Sequence, residues 1–148
     1  MKLVAIYFPK NSLPYIFGKN HEGQTLNLCG DYSFIFETHT HKELLIIKID
    51  NEYNFIQNFW GDNISLINAV VGKNGIGKTT ILRAINTSID FEKHVKCIYI
   101  FSNNNEFFIF NETDFLIDSN FNFKITNYEY FNLSKLYYSP IIEIGRCF

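Results

Sequence analysis

The sequence predicts an α/β fold, with one strand–loop–helix unit set among mostly antiparallel strands. Three observations carry that expectation. Residues 64–71, ISLINAVV, are a nearly continuous apolar run of the kind buried on both faces of a parallel sheet. A glycine-rich stretch follows at once, and after it KTTILRAINTSID places Ile81, Leu82, Ile85 and Ile89 on one helical face. On either side the chain carries short strand-like runs, without the even alternation of strands and helices that a doubly wound domain shows.

Each element has its own reason. KLVAIYF (Lys2–Phe8) is a short apolar run and reads as the first strand, while NSLP and FGKNHEGQ carry turn residues. Residues 25–38, TLNLCGDYSFIFET, alternate as two strands around a Gly30-Asp31 turn. ELLIIKID (Glu43–Asp50) is a third strand, and residues 51–63 read as a loop or short helix leading to Gly61. The strand–loop–helix unit spans 64–90, its helix ending near residues 88–91. Beyond it, VKCIYIF and EFFIF flank SNNN as a hairpin with a polar turn. FLID, FNFKIT and KLYYSP are further short strands. There is no internal repeat and no low-complexity linker.

With 148 residues the chain makes at most one ordinary domain, 1–148, long enough to bury a core. Hydrophobic residues at 47% and charged residues at 19% mark it as globular rather than disordered. The net charge is -2 and only Arg83 and Arg146 are arginines, which argues against a nucleic-acid surface within this segment. Cys29, Cys97 and Cys147 are widely spaced and odd in number, a poor pattern for a disulfide framework or a zinc site. The apolar stretch after Lys2 is too short for a signal-peptide core, and no run approaches a membrane span. The expectation is a soluble, cytoplasmic protein that makes no use of a membrane. Aromatic residues reach 18%, which fits an AT-rich coding sequence and a sheet-rich fold better than a dedicated ligand surface.

Gly72-Lys73-Asn74-Gly75-Ile76-Gly77-Lys78-Thr79 matches the phosphate-loop pattern G-x-x-x-x-G-K-[ST]. Backbone N–H groups must approach a phosphate chain closely, and side chains at the glycine positions block that approach. Glycine also permits the positive φ angles that curl N–H groups inward into an anion-binding nest. A helix starting near Lys78 adds its N-terminal dipole. The expected roles follow. Lys78 reaches the β- and γ-phosphates and is the catalytic candidate. The Thr79 hydroxyl coordinates Mg²⁺, Thr80 bonds the α-phosphate, and the backbone of residues 72–77 forms the cradle. At average residue usage the pattern arises by chance in roughly 1 of 200 chains of this length.

At these residues the sequence resembles a family. INAVVGKNGIGKTTILRAI looks like the N-terminal phosphate loop of the ABC-type ATPases, in their RecF/SMC/OLD-like branch, which writes the segment G-x-N-G-x-G-K-[ST]-[ST]-L-L-x-A-I. Asn74, Gly75, Gly77, Lys78, Thr79, Thr80, Leu82, Ala84 and Ile85 match, and Ile81 replaces the first Leu. NFWGDNISLINAVVG and LYYSPI are also similar to ATP-binding proteins of that branch, many of them associated with DNA repair or anti-phage defence. The resemblance covers residues 64–89. It implies a P-loop NTPase N-terminal half, with ATP and Mg²⁺ as cofactors. It further implies that a C-terminal half, supplying a signature motif, an acidic pair and a switch His, completes the head. Two such heads sandwich ATP. Any nucleic-acid contact then belongs to parts outside this segment.

The residues that hydrolysis requires beyond the cradle are not evident. A carboxylate must help hold Mg²⁺ and another group must position water, usually from an apolar strand ending in Asp-Glu. CIYIF is followed by Ser102, and DFLIDS has three apolar residues before Asp118. Asp50 and Glu52 precede the loop, and Asp50 reads as a strand-end residue. No LSGG-like signature, no N-K-x-D pattern and no arginine-rich lid occurs, and both glutamines, Gln24 and Gln57, lie upstream. His39 and His41 in THTH lack a third ligand for a metal. Trp60 and Tyr53 read as packing residues rather than an adenine stack. The chain closes on IIEIGRCF with no polar tail. The expectation is therefore an N-terminal fragment of a longer ATPase, or a truncated product, that binds ATP and hydrolyses it poorly. The rival expectation is a non-catalytic β-rich interaction module with a vestigial phosphate loop.

Overall fold

The run KLVAIYF forms β1 (Lys2–Phe8) in the computed structural model, which describes residues 2–51, 67–71, 73, 78, 79, 81, 82 and 96–126. After it come α1 (Pro14–Phe17), β2 (Gln24–Asn27), β3 (Tyr32–Thr38), β4 (Glu43–Asp50), β5 (Ile98–Asn103), β6 (Glu106–Asn111), β7 (Leu116–Ser119) and β8 (Phe123–Ile125). Strands β2-β1-β5-β6-β8 make one sheet and β3-β4-β7 a second. Neighbours pair antiparallel except β4 with β7 and β6 with β8, which are parallel.

The buried side chains explain why two sheets form. Val4, Ala5, Tyr7, Ile98, Ile100 and Ile109 from the first sheet share one cluster with Phe34, Leu44 and Ile46 from the second. The alternate residues of the first sheet, Ile6, Phe8, Cys97, Tyr99 and Phe101, form another cluster with Leu13, against which Ile16 and Phe17 of α1 pack. Strands β1 and β5 are thus apolar at consecutive positions because both of their faces are covered. Each fully buried aliphatic or aromatic side chain contributes about 1.5–3 kcal/mol relative to exposure. Tyr7 stacks on Phe36 across the sheets, with ring centroids 4.6 Å apart and planes within 9°. Phe34, Phe107 and Phe121 meet edge-on or tilted beside them.

Local chemistry fixes the connections. Asn104 (φ 48°) and Asn105 (φ 66°) join β5 to β6 as a two-residue hairpin turn in which both central residues are left-handed. Such turns match the strand twist, and asparagine tolerates the conformation. The register of β1 shifts against β5 between Leu3 and Ala5, leaving Val4 as a bulge residue that turns toward the shared core. Asn27 ends β2 with its side-chain amide on β3. Its Nδ2 donates to the Phe34 carbonyl at 3.1 Å, and its Oδ1 accepts from the Phe34 N–H at 2.7 Å. Asn120 does the same beyond β7, donating to the Lys48 carbonyl at 3.1 Å and accepting from its N–H at 2.8 Å. Each amide replaces a peptide group where a ladder runs out.

Several expectations hold at this level. β1 and β4 have the bounds read from the sequence, and the hairpin around SNNN is present. Three corrections are needed. The two strands within 25–38 exist but are not a hairpin: β2 pairs with β1 and β3 with β4, in different sheets. The apolar run before the glycine loop is not a buried strand over 67–71, where no strand is assigned and Ile67 and Val71 are 51% and 86% exposed. A strand buried on both faces needs a ladder partner, and the interior of the first sheet is already taken by β1 and β5 lying side by side.

The third correction concerns the fold class itself. The described residues are not the α/β half of a P-loop NTPase with its strand–loop–helix unit. They build two mixed sheets, whereas that fold requires several helices. Helical structure among the described residues is confined to the four-residue α1 and to Lys78, Thr79, Ile81 and Leu82. The reason lies in the connections. A parallel pair needs a crossover, ordinarily a helix. Here the crossover from β6 to its parallel neighbour β8 is β7, a strand of the other sheet. Among the described residues, no helix is long and apolar enough to cross a membrane.

Candidate functional site

Of the nine residues expected at the phosphate loop, Lys73, Lys78 and Thr79 are described. Gly72, Asn74, Gly75, Ile76, Gly77 and Thr80 lie outside the described residues. Lys78 and Thr79 are helical. The Lys78 Nζ donates to the carbonyl oxygen of Lys73 at 2.7 Å. The ammonium is thereby turned back from the helical residues onto the first half of the loop. Lys73 and Thr79 are exposed and Lys78 is half-buried, so the cation and the hydroxyl are both within reach of a soluble ligand. Leu82, expected on the buried face of the helix, is 41% exposed.

The other candidates separate from this loop. Asp50, at the end of β4, is ion-paired with Lys48, consistent with a strand-end residue. Asp118 lies on β7, where one carboxylate oxygen accepts from the Ser119 N–H at 2.8 Å. His39 and His41 sit in the β3–β4 turn, both exposed, and the His39 N–H donates to the Glu43 carbonyl at 3.0 Å. Among the described residues no three His, Cys, Asp or Glu side chains converge as a metal site. Tyr53 and Trp60 lie outside the described residues.

Cysteine chemistry is quenched where it is best defined. Burial pushes the Cys97 thiol up to about 12, with a hydrogen bond from Tyr99 working against the shift and the charge of Glu112 adding to it. A thiol held protonated there is a poor nucleophile. Tyr32 is likewise raised to about 12, first by burial, with a Ser102 hydrogen bond opposing and Cys29 and Asp31 reinforcing.

Sequence reasoning passed over two polar features. His21 is buried and bridges the α1 region: its Nδ1 accepts from the Gly23 N–H at 3.2 Å, and its Nε2 therefore donates to the Ser12 carbonyl at 2.6 Å. The second is a cleft of about 500 Å³ that includes Lys10, His41, Lys96 and Asp114, which opens beside a depression of about 600 Å³ sharing Lys10, His41 and Phe115. Lys10 is held there by Glu22 at 3.0 Å. No spacing signal marks these residues in the sequence, because four separate connections bring them together. No described residue of the phosphate loop lines either cavity.

No family model, curated protein or solved structure matches the chain.

Proposed function

We propose that the chain binds a nucleoside triphosphate, ATP, together with Mg²⁺, through residues 72–80. The loop pattern supplies the chemistry. The Lys78–Lys73 contact is the observation that supports it most directly. The contact sets the Lys78 ammonium beside the Lys73 backbone, the two described residues that bound the middle of the pattern. A phosphate chain at that cation exchanges one carbonyl for several anionic oxygens, a charge-assisted gain. In this reading Lys78 holds the β- and γ-phosphates, Thr79 offers its hydroxyl to Mg²⁺, and Thr80 and the backbone of Gly72, Lys73, Asn74, Gly75, Ile76 and Gly77 surround the remaining oxygens.

Hydrolysis is assigned to groups beyond this set. The acids best placed in the sequence, Asp50 and Asp118, are engaged on β4 and β7 by Lys48 and by a backbone N–H. The reading is therefore of an ATP-binding chain whose acidic pair is supplied by other polypeptide, as the ABC-type resemblance of the loop implies. That lineage rests on the loop residues alone.

Titration of the full chain with Mg-ATP in a calorimeter tests the proposal. Saturable heat is expected, with Lys78→Ala losing about 1.5–3 kcal/mol of binding, the range of a charge-assisted hydrogen bond. Absence of heat and of any thermal shift with either Mg-ATP or Mg-ADP overturns it. That outcome favours the second reading, a β-rich interaction module with a vestigial loop. The two-sheet architecture and the exposed aliphatic residues of the second sheet support that alternative.

A further inference from the structure

The register of the three-stranded sheet divides its residues cleanly between two faces. Phe36 pairs with Ile46 and Phe34 with Lys48, while Leu44 pairs with Ile117; these residues face the shared core. The alternate residues face away from it. On that outer face Ile35 lies opposite Ile47, Ser33 opposite Ile49, Glu37 opposite Leu45, Leu45 opposite Asp118, and Glu43 opposite Leu116. Ile35 and Ile49 are 43% and 42% exposed and Leu116 is 68% exposed, so nothing described here seals the aliphatic stripe.

The face is also electrically one-sided. Leu45 is flanked across the strands by Glu37 and Asp118, and Glu43 stands beside Leu116. No lysine or arginine of the three strands shares this face. Lys48 alternates to the opposite side, where its ammonium sits 4.9 Å from the centre of the Tyr32 ring and also pairs with Asp50. At the acidic end a groove of about 400 Å³ runs between β4 and β7, its walls including Leu45, Leu116, Glu43, Asp118 and His39. Aliphatic surface at one end and, at the other, a groove lined by the carboxylates of Glu43 and Asp118, with Glu37 across from Leu45, make a patch with a direction.

We propose that this outer face is a docking surface for a partner segment that is apolar along one side and carries lysine or arginine at one end. Its aliphatic side chains cover Ile35, Ile47 and Ile49, and its cations enter the groove between Glu43 and Asp118. Charge decides between this occupant and a second copy of the chain, because self-pairing in the same orientation brings like carboxylates together. The proposal is independent of nucleotide binding.

The test uses the full chain and two synthetic amphipathic peptides with one leucine face in common. One carries lysines at the end of that face and the other carries glutamates there, and binding is followed by fluorescence anisotropy. The lysine peptide is expected to bind saturably, at least about tenfold more tightly than the glutamate peptide, with the preference fading as salt screens it. The double variant Glu43→Lys, Asp118→Lys is expected to reverse the preference. Ile35→Thr with Ile47→Thr keeps strand propensity on an outward face and is expected to weaken both peptides. Far-ultraviolet dichroism and melting temperature confirm that the variants fold. Equal binding of the two peptides, no binding, or a preference untouched by the charge reversal overturns the proposal. Self-association of the chain that Ile35→Thr with Ile47→Thr abolishes, seen by sedimentation, overturns it in favour of a homodimer.

Discussion

The two sheets use the same kinds of residue and treat them differently. In the five-stranded sheet, β1 and β5 bury consecutive residues, so Ile98, Tyr99, Ile100 and Phe101 are all within the core. In the three-stranded sheet, β4 is just as apolar, yet only Leu44 and Ile46 are buried, while Ile49 faces solvent and Leu45 and Ile47 are half-buried. The contrast shows that a run of β-branched and aliphatic residues specifies a strand without specifying how many of its faces are covered. Coverage is settled by what packs on the sheet. α1 and Leu13 pack on the outer side of the first sheet, and the described residues supply no counterpart for the second.

The largest effect that separates the two situations is cavity formation. Ile100→Ala and Ile46→Ala each leave a void in the shared core, and each is expected to cost about 2–5 kcal/mol in urea denaturation. Ile47→Ala, one residue from Ile46 but on the outer face, is expected to stay within about 1 kcal/mol of the parent. Equal losses at Ile46 and Ile47 would break the assignment of faces.

A smaller effect tests the join between the sheets. Gly23 has φ +123°, and a Cβ built there falls 2.4 Å from the Tyr7 hydroxyl and 2.8 and 2.9 Å from two ring carbons. Gly23→Ala is expected to cost about 1–3 kcal/mol, through backbone strain and displacement of Tyr7 from its stack on Phe36. Adding Tyr7→Phe is expected to restore little, since the ring carbons still block the methyl group. Full rescue by that second change would show that the hydroxyl alone was the obstacle.

The mildest contrast appears only in alkali. Cys97 in the first sheet and Tyr32 in the second are both raised to about 12, from ordinary values of 9.0 and 10.0. In each case the unfolded chain loses its proton first, so the native state binds more protons over the window and stability falls as pH rises. The contribution is intact below pH 9 and drains between 9 and 12 for Cys97, and between 10 and 12 for Tyr32. Cys97→Val is expected to flatten the onset of that decline, and Tyr32→Phe its later part, in urea melts stepped from neutral pH into this window.

Much of this was legible from the residues and some was not, for reasons that differ. The bounds of β1 and β4 follow from where apolar residues stop, and the β5–β6 hairpin follows from two asparagines that accept left-handed backbone. Pairing is not local in the same way. Residues 25–38 alternate correctly, but alternation cannot say that β2 turns to β1 while the Asn27 side chain hands the chain to the other sheet. Residues 67–71 look like a buried strand because β-branched residues favour one, yet a strand also needs a free neighbour. The phosphate-loop pattern is legible as glycine and lysine spacing, and six of its nine residues lie outside the described residues. The acidic, aliphatic outer face was not, because it arises only when β3, β4 and β7 fall into register.

That register spans a wide interval of chain. The amide of Asn120 clamps Lys48 across 72 residues, whereas β4 finds β3 through a short turn. Closing so long a loop is entropically slower than forming a hairpin. On a ribosome, β3 and β4 can therefore pair early and wait, with one edge of β4 open, until residues 116–120 have emerged. The entire glycine-rich loop is synthesised within that wait. Its lysine and threonine thus reach the growing molecule before the second sheet is complete.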